Sequence, residues 1–218
     1  MERLYEIPNL REAHFIDRPN RFVANIRYNG HLTKAHIHDP GRLKELLLPG
    51  AKLLMTESGG KLDWYVKAVR SGNEWVIIDS AQQRKIASKL FTIMEDFKNV
   101  KEIIPEVQFG KSRLDFTLDG VPLENKGVSL VKDGIALFPD APTKRGTRHV
   151  FEIIKHKGIL FFIIFRKARE FRPNSEMDPA FSNAMQEARN SGVKIICAQV
   201  LFDGYSVFYD GKVPLGPF

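Results

Sequence analysis

The 218-residue chain has a single cysteine, Cys197. No internal disulfide can form, so this is not a disulfide scaffold, and a lone thiol fits a reducing cytosol. Cys197 lies in the apolar run VKIICAQV and reads as packing in preference to a catalytic thiol. Long hydrophobic runs are also missing. The longest, GILFFIIF, falls far short of the roughly 20 residues that cross a bilayer. The opening MERLYEIPNL mixes charges and has no signal-peptide pattern. A cytoplasmic protein with no membrane partner is expected. There is no internal repeat, no low-complexity tract and no helix-turn-helix signature that would mark a sequence-reading regulator.

What remains is ample for folding. Hydrophobic residues make up 43% of the chain and charged residues 27%, ordinary for one large globular domain or two small ones. The net charge of +7 is localised. Residues 144–172 hold nine basic and two acidic residues, which alone matches the excess of the whole chain. Such a patch is a footprint for a polyanion, or else a solvated helix face and loop; charge alone does not choose.

The two ends of the chain are patterned differently. RFVANIRY alternates Phe22, Ala24, Ile26 and Tyr28, and Asn29-Gly30 then leads into HLTKAHIH. Asn-Gly between alternating runs signals a hairpin. AKLLMTES, LDWYVKAV and EWVIID add three strand-like runs, so five strands suggest a small barrel of oligonucleotide-binding (OB) type. HDPGRLKELLLPG reads as a tight turn followed by a short helix. His36, His38 and Asp39 are metal-ligand types, but without an evident fourth ligand the HDPG stretch reads as structural.

Ser80 and Gln83 have capping-box spacing, followed by Ile86, Leu90, Ile93, Met94 and Phe97 at helical intervals. The domain boundary is placed here, giving an OB-like barrel over 1–83 and an α/β domain over 84–218. In the second domain strands are expected near 106–109, 113–118, 121–126, 159–165, 193–200 and 205–209. Helices are expected at about 143–157 and 179–191. The second helix has Asp178 as cap and Pro179 at its first position. Ile159–Phe165 is apolar throughout, as in a strand buried on both faces. A mixed sheet covered by helices follows.

The stretch RLDFTLDGVPLENKG carries the chemistry. With Asp119-Gly120 as a type I′ turn, Leu118 faces Val121, Thr117 faces Pro122, Phe116 faces Leu123 and Asp115 faces Glu124. Directly opposed β-carbons lie about 4.5–5.5 Å apart, so Asp115 and Glu124 could ligate one divalent cation. Lys126 follows on the same face because side chains alternate. Pro122 is tolerated at a non-hydrogen-bonded pair. Asn125 falls on the apolar face and needs hydrogen bonds there. Two carboxylates suit a hard cation such as Mg²⁺, which polarises a phosphate and acidifies bound water. A neighbouring lysine can stabilise charge on the phosphate. The competing reading is a surface hairpin with one Lys–Glu pair.

Thr143 can cap a helix whose first turns carry Lys144, Arg145 and Arg148. Cations are unfavourable at a helix N-terminus unless an anion is the intended neighbour. Arg145 and His149 share a face, making His149 either a phosphate contact or a satisfied structural histidine. RKAREFR adds Arg166, Lys167, Arg169 and Arg172, and both segments flank the same central strand.

NRFVANI, HDPGRLKELLLPGA, FGKSRLDF, LENKGVSL, GIALFPDAPTKRGTRH and FRPNSEMDPAF together give the chain a likeness that runs over nearly its whole length. It resembles the sugar fermentation stimulation protein A family, bacterial and archaeal DNA-binding proteins. The resemblance implies an OB-like barrel followed by a PD-(D/E)xK nuclease-type fold. Asp115 would be the family's aspartate and Glu124-Asn125-Lys126 its Glu-x-Lys, with Asn125 standing where members often have an aliphatic residue. Glu106 matches a further acidic position, as a third or outlying carboxylate. The implied partner is DNA and the implied cofactor Mg²⁺ or Mn²⁺. The resemblance favours DNA binding over cleavage, since a fold does not fix a function, and the family name points to sugar-utilisation genes.

Overall fold

The computed structural model describes residues 1–39, 41–110 and 112–218; Pro40, of the HDPG sequence, and Lys111 lie outside the described residues. The chain divides into two compact units, Met1–Gln82 with Val200–Asp210, and Gln83–Gln199 with Gly211–Phe218.

In the first unit the strands are β1 (Glu2–Glu6), β2 (Arg11–Asn20), β3 (Val23–Tyr28), β4 (His31–His36), β5 (Lys52–Glu57), β6 (Trp64–Ser71) and β7 (Glu74–Ile77). β2 pairs with β3 and β5, β3 with β4, β5 with β6, and β4 with β6 in parallel. Those five strands close a barrel. Ala13, Phe15, Ala24, Ile26, Leu53, Met55, Val66 and Ala68 are buried inside it. The expected count of five is right, but the membership differs. Arg11–Asn20 is a barrel strand, while Glu74–Ile77 pairs with β6 outside the ring. The polar outer face of β2 masks the alternation that Ala13 and Phe15 carry. Residues 200–210 group with this unit because Ser206–Tyr209 pair with Glu2–Glu6.

The short helix expected after HDPG does not form. Residues 41–50 make turns, Leu43 takes a positive φ of 49° and only a single helical turn closes from it. Leu43, Leu46 and Leu47 bury their side chains, so their apolar spacing serves the core without a regular helix. Arg18 donates to the carbonyls of Asp39 (2.7 Å) and Gly41 (2.8 Å), and Asp39 Oδ1 accepts from Gly41 N at 2.7 Å. The rings of His36 and His38 lie tilted against each other and against Tyr65. The expected turn at HDPG includes Pro40 and so lies partly outside the described residues.

α1 (Ser80–Ile93) begins at the division. Asp79, and not Ser80, accepts from the second residue of the helix, Ala81, at 3.1 Å. The Ser80 hydroxyl donates to the His38 carbonyl, which takes it out of the expected capping box.

The remaining elements are β8 (Ile103–Phe109), β9 (Ser112–Leu118), β10 (Val121–Val128), β11 (Val131–Lys132), β12 (Ile135–Phe138), α2 (Lys144–Lys155), β13 (Ile159–Ile164), β14 (Glu170–Pro173), α3 (Pro179–Asn190), β15 (Lys194–Phe202) and β16 (Ser206–Lys212). The main sheet of the second unit has the order β15-β13-β10-β9-β8. β10, β13 and β15 are parallel, while β8 and β9 run antiparallel. This is the mixed sheet expected. β11, β12 and β14 form a separate small sheet.

β13 is the axis of the core. Leu160, Phe162 and Ile164 pack with Val150 and Ile153 of α2 and Phe181, Ala184 and Met185 of α3. On the opposite face Phe161 meets Phe91 of α1 (5.8 Å between ring centroids) and Phe97 (5.5 Å). Burial of each such side chain contributes about 1.5–3 kcal/mol. Cys197 is free and buried in this core, where burial pushes its thiol pKa up. It is an apolar packing group. Thr143 caps α2 by accepting from Gly146 at 3.0 Å, and Asp178 caps α3 by accepting from Phe181 at 3.0 Å. Asp178 also accepts from Thr143 N at 2.7 Å, which ties the two helix starts together. Among the described residues no helix is long and apolar enough to cross a membrane.

Candidate functional site

The β9–β10 hairpin turns at Asp119 (φ 48°) and Gly120 (φ 79°), two left-handed residues as a type I′ turn requires. The register is Val121–Leu118, Pro122–Thr117, Leu123–Phe116, as the sequence predicts. The ladder then stops. Asp115 and Glu124 do not form a fourth backbone pair; instead Asp115 Oδ2 accepts from Asn125 N at 2.8 Å. The carboxylate takes a hydrogen bond that a strand carbonyl would otherwise receive. β8 skips the same point. Its pairs with β9 run on either side of Glu106–Asp115, and Glu106 has a φ of 58°. The sheet opens at Asp115 on both edges.

β10 meanwhile pairs with β13, setting Glu124 beside Leu160 and Lys126 beside Phe162. Glu124 and Lys126 therefore face α2, and Asn125 faces the other way with Phe161. Glu124 is only 2% exposed. Its Oε1 receives the Lys126 ammonium and the Nδ1 of His149, while its Oε2, also buried, has no hydrogen-bond partner among the described residues. Burial pushes Glu124 up, but Lys126 and His149 outweigh it and hold the carboxyl below its ordinary range. Asp115 goes the other way. Burial first, and then the charge of Glu124, raise it, against smaller opposing effects from Lys126, the Asn125 N–H and His149. The two carboxylates thus feel each other's charge without a backbone pair. Repulsion between them and a buried oxygen without a donor are both conditions that a hard divalent cation relieves.

Asn125 is buried, and its Oδ1 has no partner among the described residues, so the hydrogen bonds its position calls for are incomplete. Gly127 is fixed by a close approach. A Cβ there would lie 2.3 Å from Gln83 Nε2 and 2.9 Å from Phe165. Gln83 thereby covers the strand next to Lys126, a neighbour that nothing in the local pattern reveals.

Glu106 is placed differently from the pair. Its carboxylate is bound by Arg84 and Arg113, whose donation holds it below the ordinary range. Among the described residues no three His, Cys, Asp or Glu side chains gather as a metal-holding group.

α2 packs on β10 and passes directly into β13. A helix linking parallel strands runs back against them, so its N-terminus stands at the end of β10 that carries Lys126. Lys144, Arg145 and Arg148 are exposed there, with no acidic residue in the first turn. Arg166 and Lys167 follow the end of β13, at the same end of the parallel strands. Arg169 donates to the Asp133 carbonyl at 2.8 Å and Arg172 pairs with Glu170, giving these two local structural roles. His149 is not on the exposed face. It is 2% exposed, in the buried stripe Gly146, His149, Val150, Ile153. That i, i+3, i+4, i+7 spacing is the signal in the sequence that places it inside.

Comparison with known proteins agrees with this architecture. The SfsA N-terminal OB domain family matches residues 16–78, and the family described as the sugar fermentation stimulation protein RE domain matches residues 81–205. Proteins named sugar fermentation stimulation protein homolog are similar over most of their length. One from Methanococcoides burtonii is 39% identical, covering 96% of this chain and 94% of its own. One from Methanosphaera stadtmanae is 40% identical, covering 87% and 86%. The solved structure of Pyrococcus furiosus SfsA in complex with Ca²⁺ superposes with a TM-score of 0.93 at 28% identity, over the full length of both chains. With both halves matched and relatives this similar, the chain belongs to the sugar fermentation stimulation protein (SfsA) family.

Proposed function

We propose that this protein binds DNA through its phosphates, along the end of the second unit where α2 begins. The observation that carries the reading is the exposure of Lys144, Arg145 and Arg148 in the first turns of a helix whose N-terminus already favours anions. A polyanion settles that concentration of positive charge. DNA binding is also how a member of this family would act on sugar-utilisation genes. Fluorescence anisotropy with a labelled duplex tests it. Each phosphate neutralised contributes about −0.9 to the slope of log K against log salt. Arg148→Ala should weaken binding evenly across sequences and flatten the slope by about 1. A salt-independent isotherm would sink the reading.

A second reading rests on a separate observation, the buried Glu124 oxygen without a donor beside Asp115. It is a metal-dependent endonuclease of PD-(D/E)xK type, with Asp115 and Glu124 holding Mg²⁺ or Mn²⁺ and Glu106 at the margin. The P. furiosus relative is described with Ca²⁺, another oxygen-seeking cation. A bound cation would supply Lewis-acid polarisation of a phosphodiester. Lys126, oriented by Glu124, keeps a positive charge beside the phosphate, and the cations of α2 orient the strand. Plasmid incubated with Mg²⁺ or Mn²⁺ should be nicked by the parent and left intact by Asp115→Ala and Glu124→Ala. Nicking by both variants at the parental rate would assign the activity to a contaminant.

A further inference from the structure

The two oxygens of Glu124 are in opposite circumstances. Oε1 has two donors, Lys126 and His149, and Oε2 has none among the described residues. A carboxylate offers about four acceptor positions, and leaving a buried acceptor unpaired costs about 1–3 kcal/mol. One donor on each oxygen would cost less. The arrangement is accounted for if Oε2 is kept clear for something else.

His149 is the part that enforces it. The ring sits in the buried stripe of α2, on a regular helix and not on a loop, so its position is set by packing. Its Nε2 accepts from Arg145 Nε at 3.4 Å. That leaves the proton on Nδ1, aimed at Oε1 of Glu124. Lys126 has a flexible stem and three donors, and alone it could turn to either oxygen. A pinned imidazole cannot.

We infer that His149 is a positioning residue, locked in one tautomer by Arg145, that fixes Glu124 so that Oε2 alone is presented to a divalent cation. The inference rests on the metal reading above. It also takes His149 out of the phosphate-contacting set. The role is that of a partner behind a metal ligand, whose loss typically weakens metal binding about 10–100-fold.

The test is calorimetric titration of Mn²⁺ into the full-length protein, without DNA, for the parent, His149→Ala, His149→Gln and Glu124→Gln. His149→Ala should bind Mn²⁺ about tenfold or more weakly, and His149→Gln, which keeps an N–H donor, should recover most of the affinity. If the alanine variant does not fold, His149→Met fills the space without a donor and takes its place. Parental Mn²⁺ affinity in the donor-less variant overturns the inference. Equal weakness in the donor-less and glutamine variants also overturns it, because packing and not the Nδ1–H is then responsible. Mn²⁺ binding by Glu124→Gln equal to the parent identifies a different failure, that of the metal reading itself, and the inference falls with it.

Discussion

Replacing Lys126 by Met will cost the metal-free fold about 3–5 kcal/mol at neutral pH, the usual result of removing one partner from a buried ion pair. Lys126 is 17% exposed and Glu124 is 2% exposed, so water replaces the ammonium poorly at the buried carboxylate. Glu124 would keep only His149, and Asp115 would still repel it. The pH dependence has a definite sign. In the parent, Glu124 is held below its ordinary range, so its pairing contributes stability that is present above the ordinary glutamate range and lost as pH falls through the lower folded value. Asp115 is held above its ordinary range, so its ionised form costs stability, and that cost disappears as pH falls through the raised folded value. Without Lys126 both carboxyls move upward. The deficit of Lys126→Met should therefore be largest at neutral pH and shrink as the carboxyls protonate in mild acid. Urea denaturation of parent and variant across that range checks it. Mn²⁺ should restore part of the lost stability, because a cation replaces the missing charge. A deficit that is small and flat with pH would mean that Glu124 is not held as described.

Asp79→Ala should destabilise the first unit by a comparable amount, about 3–5 kcal/mol. Asp79 is 1% exposed. Its carboxylate accepts from Tyr65 Oη and Lys67 Nζ, each at 2.8 Å, and from Ala81 N and Gln82 Nε2, each at 3.1 Å. One side chain thus joins the sheet to the start of α1, and its removal leaves four donors short of an acceptor in a site with little access to water. The same variant has an optical signature. Burial first, and then Asp79 by hydrogen bond and charge, push the Tyr65 hydroxyl pKa up. Taking Asp79 away should bring that pKa down, so that the phenolate forms at lower pH in an ultraviolet absorbance titration. An unchanged melting midpoint together with an unchanged tyrosine titration would refute the network.

Much of this is written in local pattern. Asp119-Gly120 sets the hairpin and its first three pairs. Thr143 and Asp178 cap the helices their positions predict, and the apolar run of β13 reads directly as a strand buried on both faces. Where the pattern misleads, a longer-range contact is responsible. β2 is half polar, and its place in the barrel is decided by partners on both sides. The leucines after HDPG are spaced for a helix but satisfied by turns. Asp79 displaces Ser80 as cap because the Ser80 hydroxyl is drawn to the His38 carbonyl.

The candidate site divides in the same way. Sequence by itself placed Asp115, Glu124 and Lys126 in one neighbourhood, because a two-residue turn sets the first pairs and a strand alternates its side chains, although the ladder ends one pair short of Asp115 and Glu124. It also determined that cations would crowd the start of α2. Only the tertiary structure decided how the carboxylates are held. The parallel neighbour β13 buries Glu124 from one side, α2 lowers His149 onto one of its oxygens, and the opened sheet frees Asp115 to take the Asn125 N–H. Those contacts join residues 10 to 36 positions apart. Turn chemistry and alternation act within one hairpin, whereas burial and the assignment of donors depend on which elements pack together.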